Sequence, residues 1–141
     1  MKRLVGFAPA AVWALTILWL GSQPSLRSPV DFPYVDKAAH FSMFALLGAL
    51  IGWGLHRASV RASIAWPLVA GSLVGVLDEL HQRTVPGRSS DLKDLLADAL
   101  GCAVGLWLTH WWFDRRITKS ATHDTEAGRP KPDDGIREHS A

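Results

Sequence analysis

Four apolar stretches constrain this chain more than any other feature of its sequence, because a bilayer core of roughly 30 Å takes about 20 helical residues to cross. Leu4–Leu20 carries no charge, and Ala38–Leu55 holds only His40 among ionisable side chains. Ile64–Leu77 is uncharged and reaches spanning length when its helix runs on to about Gln82, and Leu95–Phe113 contains Asp98 and His110. The pattern predicts an all-α fold, a small polytopic membrane bundle of four transmembrane helices. Pro67 fits the first turn of the third helix, where no helix hydrogen bond is lost. A signal peptide is the competing reading of the first stretch, since Lys2 and Arg3 precede it and "WLGSQPS" follows, but its length weighs against cleavage.

The charges are unevenly distributed: of 28 Asp, Glu, Lys and Arg residues, 12 fall after Phe113, so the net charge of +2 describes neither part of the chain. With 48% hydrophobic residues the whole resembles neither a disordered chain nor an average soluble domain. The division this implies is a transmembrane domain over residues 1–113 and a disordered, flexible cytoplasmic tail over 114–141, whose end, "AGRPKPDDGIREHSA", has the proline, glycine and charge content of a solvated segment. Asp133, Asp134 and His139 are there by composition rather than as metal ligands. Cys102 is the single cysteine, which excludes an intrachain disulfide and a cysteine metal cluster.

Small residues recur at four-residue spacing as Gly48 and Gly52, Gly71 and Gly75, and Gly101 and Gly105. Such pairs let helices approach closely in lipid, where packing rather than water exclusion drives association. Glycine is common in membrane helices in any case, but three pairs in one short chain favour a tight bundle, or a homo-oligomer formed through the Gly-rich faces. Trp53, Trp66, Trp111 and Trp112 fall near one end of their helices when the spans alternate, as an interfacial aromatic belt does. That side carries Lys2, Arg3, Arg57, Arg61, Arg115, Arg116 and Lys119, against Arg27, Lys37, Arg83, Arg88 and Lys93 on the other. The bias places both termini in the cytoplasm.

Alternation also brings "DKAAHF", "DELHQ" and "DLKDLLAD" to one side of the membrane. Asp36 and His40 share a helix face, as do Asp78, Glu79 and Gln82 in their i+3 and i+4 relations. Asp91, Asp94 and Asp98 form one acidic stripe, and Asp98 lies about 10 Å along the helix from Asp91. A lipid-facing carboxylate there is costly, so Asp98 is expected to point into the bundle toward a partner. Pro86-Gly87 suits a type II turn. Ser89, Ser90 and Asp91 are all N-cap residue types, and the helix start they precede offers free N–H groups to an anion beside Arg88.

Each residue has a plainer role as well. Asp36 and Asp91 can cap their helices, His40 can bond within the bundle, Arg88 can pair with Asp91 or Asp94, and Lys37, Arg83 and Lys93 can face water. His81 and His110 read as interfacial. For Glu79 and Asp98 a functional role is favoured, because buried ionisable groups in membranes usually serve a site.

"DKAAHF", "DELHQ" and "PGRSSDLKDLLADALG" together resemble the VanZ-like integral membrane proteins over residues 36–105. The resemblance marks Asp36, Lys37, His40, Asp78, Glu79, Gln82, Arg88, Asp94 and Gly101 as motif positions. It implies a multi-pass protein of the bacterial cytoplasmic membrane, some of whose relatives are linked to glycopeptide resistance, in particular to teicoplanin. It brings no established reaction and no cofactor. Where the family usually has asparagine this chain has Asp98, which is either protonated and asparagine-like or balanced by a cation or Arg88.

The expected ligand pocket is therefore Asp36, Lys37, His40, Asp78, Glu79, Gln82, Arg88, Asp94 and Asp98, binding or modifying an anionic lipid-linked or cell-wall precursor. The alternative is a membrane enzyme with an acid–base site or a divalent metal on His40, Glu79, Asp94 and Asp98. No HExxH or serine-elbow pattern assigns a reaction, a catalytic residue or a definite metal set. A transporter ranks last, because its ionisable groups should spread through the membrane depth. Nucleic-acid binding is not expected without an organised basic patch.

Overall fold

The computed structural model describes residues 2–23, 35–60, 63–86, 88 and 91–127, and within them every regular element is helical. The order is α1 (Lys2–Val5), α2 (Ala8–Gly21), α3 (Val35–Arg57), α4 (Ala65–Gln82) and α5 (Leu92–Ala127). By length and composition α3 is the one helix clearly long and apolar enough to cross a membrane, while α2 is a shorter apolar helix.

Two boundaries differ from the sequence reading. The first apolar stretch is broken at Gly6-Phe7, and α2 restarts with a proline in its first turn. Pro9 has no N–H to donate, and its ring collides with the carbonyl four residues back, so a helix cannot pass through it unbroken. At the other end α5 continues to Ala127 rather than stopping at Phe113, so the backbone of 114–127, expected as flexible tail, is helical. Pairs one turn apart cross the start of that extension: Arg115 over Trp111, Arg116 over Trp112, and His110 with Asp114. The tail beyond residue 127, the Gly87 turn position and the Ser89 and Ser90 caps lie outside the described residues. Pro67 is in the first turn of α4, and that helix runs to Gln82 as expected.

The helices alternate in direction. A side chain added at Gly54 would meet Phe7, whereas one added at Gly21 would meet Asp78, so α2 runs against α3 and alongside α4. Gly71 faces Cys102 and Gly75 faces Asp98, which makes α4 antiparallel to α5. The closest pairing is the parallel one between α3 and α5. Gly101 sits on the Phe41 carbonyl, Gly105 on the Ala45 carbonyl and Gly48 on the Cys102 carbonyl, positions at which a Cβ would strike backbone. Thr109 donates its hydroxyl hydrogen bond to the Ala49 carbonyl across the same seam, at 3.3 Å. The glycine faces considered for an oligomer are thus occupied by contacts within the chain.

Ala10, Ile17, Phe44, Leu47, Cys102 and Leu106 form the buried core. Trp13 ties α2 to α3 by donating to the Met43 carbonyl at 2.9 Å, so the first stretch is an integral part of the bundle. The flanks are apolar: Leu15, Trp19, Leu46, Leu73, Leu96, Leu100 and Trp107 are all exposed.

Candidate functional site

The alternation places the C-terminal ends of α2 and α4 and the N-terminal ends of α3 and α5 together, and the ionisable side chains collect there. His40, Asp78, Glu79, Gln82, Asp94 and Asp98 are all buried. Burying a carboxylate is costly unless it is paired or hydrogen-bonded. The pairs are visible.

At the centre, His40 Nδ1 lies 2.9 Å from Asp98 Oδ1, with both side chains almost fully enclosed. Asp98 reaches His40 because α3 and α5 run parallel in register at the glycine seam. Its other oxygen, Oδ2, is buried with no hydrogen-bond partner and faces Gly75 of α4, where the absence of a side chain makes room for it. Glu79, one turn beyond Gly75, completes a group in which one ligand-type atom from each of His40, Glu79 and Asp98 lies within 4.8 Å of the others.

Toward the end of the bundle, Lys37 bridges Asp94 at 2.9 Å and Asp91 at 3.2 Å. Asp91 also caps α5, its Oδ1 accepting the Lys93 N–H at 3.0 Å. That N–H, followed by the Lys37 ammonium, holds the Asp91 carboxyl below the usual carboxylate range. Glu79 Oε2 accepts the Asp91 N–H at 3.1 Å. Two backbone donors at the start of α5 are therefore taken by carboxylates, and the expected anion seat on free N–H groups at this helix start is reduced accordingly. Asp36 is exposed at the rim, within the same 4.8 Å spacing of His40 and Asp94.

Beside this cluster Gln82 donates to Asp78 Oδ2 at 2.8 Å. Asp78 Oδ1 lies against Gly21 with no hydrogen-bond partner. Arg88 is half-buried and donates from Nη2 to the Leu20 carbonyl at 3.3 Å, closing the C-terminal end of α2, while its buried Nε has no partner. Its expected pairing with Asp91 or Asp94 does not form, because Lys37 holds both.

All nine residues expected in the pocket lie at this one end. Missing from that set were Asp91, which is both cap and ion-pair partner, and α2, which contributes the Leu20 carbonyl and the Gly21 notch. Asp91 was signalled by the acidic stripe, whereas nothing in the local sequence joins Gly21 to Asp78. A separate cavity of about 580 Å³ lies at the opposite end, lined in part by His56, Pro67, Leu106, His110 and Phe113. Its ionisable lining groups, His56, His110 and Asp114, are exposed, so the buried cluster is the chemically distinctive region.

An α-helical bundle with apolar flanks and a buried histidine–carboxylate cluster at one end defines the class. The chain belongs to the VanZ/LLP1 family, which it matches over residues 5–113. It is similar to an uncharacterised protein of Schizosaccharomyces pombe, 34% identical over 101 residues. That match covers 72% of this chain and 60% of the yeast protein, so the chain spans less than two thirds of its relative's length. No solved structure matches it.

Proposed function

We propose that this chain is a four-span protein of the cytoplasmic membrane, both termini cytoplasmic, whose polar pocket receives the headgroup of an anionic cell-envelope amphiphile at the outer face. The observation that supports it is burial of His40, Asp78, Glu79, Gln82, Asp94 and Asp98 together at one end of a bundle with apolar flanks. In lipid such an arrangement is expensive unless it serves a site. Arg88 is the group for the anion: it is half-buried at that end, hydrogen-bonded only to a carbonyl among its described partners, and its planar fork suits a phosphate.

Two measurements test this. With Cys102 replaced by Ala, single cysteines at Thr84 or Val60 are labelled in intact cells with a membrane-impermeant thiol reagent. Thr84 should label and Val60 should not; the reverse pattern would move the pocket to the cytoplasmic face. Binding of a polyisoprenyl monophosphate by the detergent-solubilised protein should exceed binding of the parent alcohol, and Arg88→Lys should remove most of that difference. Equal binding by both proteins would sink the anion role. The link to glycopeptide susceptibility belongs to this proposal too, and is read as a shift in teicoplanin inhibitory concentration on expression in a susceptible host.

The His40–Asp98 pair favours a second reading, in which the same pocket performs acid–base chemistry on the headgroup. Turnover of the monophosphate, lost in His40→Gln with binding retained, would replace simple binding by catalysis.

A further inference from the structure

We infer that His40, Glu79 and Asp98 form a binding site for a first-row divalent transition ion, of which Zn²⁺ and Mn²⁺ are the types their donor set fits. The inference goes beyond headgroup binding and does not depend on it.

Three features converge. The three residues come from α3, α4 and α5, are 3%, 6% and 0% exposed respectively, and present ligand-type atoms within 4.8 Å of one another. His40 Nδ1 and Asp98 Oδ1 are 2.9 Å apart. Two ligands on a tetrahedral ion with bonds of about 2.1 Å stand roughly 3.4 Å apart, so an ion enters where the pair otherwise shares a proton once the two atoms part by about half an ångström. Independently, Asp98 Oδ2 is fully enclosed without a hydrogen-bond partner. That is a second electron-pair donor, on a carboxylate whose first oxygen already faces the imidazole.

Charge points the same way. A neutral imidazole with two carboxylates balances a dication in number of charges, and a charge-balanced, well-coordinated centre is the form in which an ion is tolerated in an interior. Lys37 does not serve as that cation for Asp98, because it is bound to Asp91 and Asp94. The same bridge removes Asp94 from the set of four proposed from sequence and leaves three ligands. One nitrogen and two oxygens suit Zn²⁺ or Mn²⁺ better than Ca²⁺ or Mg²⁺, which favour oxygen alone. Three protein ligands leave a coordination position open. Glu79 is held in place by the Asp91 N–H on its Oε2, the kind of outer contact that orients a metal ligand.

The test uses the full chain in detergent, stripped with a chelator and then titrated with Zn²⁺, and separately with Mn²⁺, in the absence of any lipid phosphate. One ion per chain is expected, with a rise in melting temperature of the stripped protein. Asp98→Asn and Glu79→Gln are near-isosteric, and each should weaken the ion by more than about 10–100-fold, since even outer contacts are worth that much. His123→Ala and His139→Ala should leave it unchanged. Where a variant loses its helical circular dichroism, Co²⁺ bound to the wild type decides: nitrogen and oxygen ligation without a thiolate band from Cys102 supports the site. No stoichiometric ion, or wild-type affinity retained in both carboxamide variants, would overturn it. Because phosphate binding is measured separately on the same preparations, loss of the ion and failure of the headgroup reading are distinguishable.

Discussion

The two ends of this bundle carry titratable groups in opposite ways. At the end formed by the starts of α3 and α5, His40, Asp94 and Asp98 are buried and bonded across helices. At the other end Arg57, Arg115 and Arg116 are exposed and lie over the exposed rings of Trp53, Trp111 and Trp112, each a partner one turn back on its own helix. The first kind of contact exists only when the helices are assembled, and the second survives in an isolated helix. An interhelical buried cluster is what a site requires, whereas an intrahelical Arg–Trp ladder suffices to position a helix at an interface.

The comparison depends first on the α3–α5 seam, which sets the register of both ends. Gly105→Val would drive a side chain into the Ala45 carbonyl and the Ala49 amide, groups that cannot swing aside. We expect a loss of more than about 3 kcal/mol, seen as collapse of the thermal transition in detergent. A stable Gly105→Val protein would mean that the seam is looser than described. Next in size is His40→Ala, which leaves the buried Asp98 carboxyl without its imidazole partner. Removing one partner of a buried pair costs about 3–5 kcal/mol, and Asp98→Asn should cost much less because it removes the charge as well. If the two variants melt alike, the buried pair is not what distinguishes this end.

At the opposite end Arg115→Ala removes one exposed cation–π contact and should change stability by about 0.5–1 kcal/mol. A larger effect would mean that Arg115 also takes part in contacts between helices, as His56 of α3 does at that end by stacking on Phe113 of α5. Smallest of all is the Asp91 effect. Its carboxyl is held below the ordinary range, so the charge contributes stability above the ordinary Asp pKa of about 3.9 and loses it as pH falls through the folded value. The melting difference between wild type and Asp91→Asn should therefore be present at neutral pH and shrink on acidification below about pH 4. A difference that persists at low pH would assign the effect to the cap hydrogen bond alone.

Much of this was legible in the sequence, for local reasons. Apolar length marked the helical stretches, and alternation sent "DKAAHF", "DELHQ" and "DLKDLLAD" to one end. The four-residue glycine spacing marked the faces that pack. Spacing along α5 put Asp91, Asp94 and Asp98 on one side. The helix break before Pro9 follows from proline chemistry, and the unbroken apolar run around it masks that signal. The helical course past Phe113 was obscured because the pairs at its start, His110 with Asp114, Arg115 with Trp111 and Arg116 with Trp112, cross from the apolar stretch into the charged one.

What the sequence by itself determined is which residues turn inward at which end, because helical periodicity and the exclusion of charge from lipid depend on spacing alone. Which inward residues meet was decided by the tertiary structure. Lys37 takes Asp91 and Asp94, His40 is left for Asp98, and Arg88 turns to Leu20. Those partnerships follow from the axial register of α3 on α5, and that register is fixed by where Gly101 and Gly105 let one backbone rest on the other.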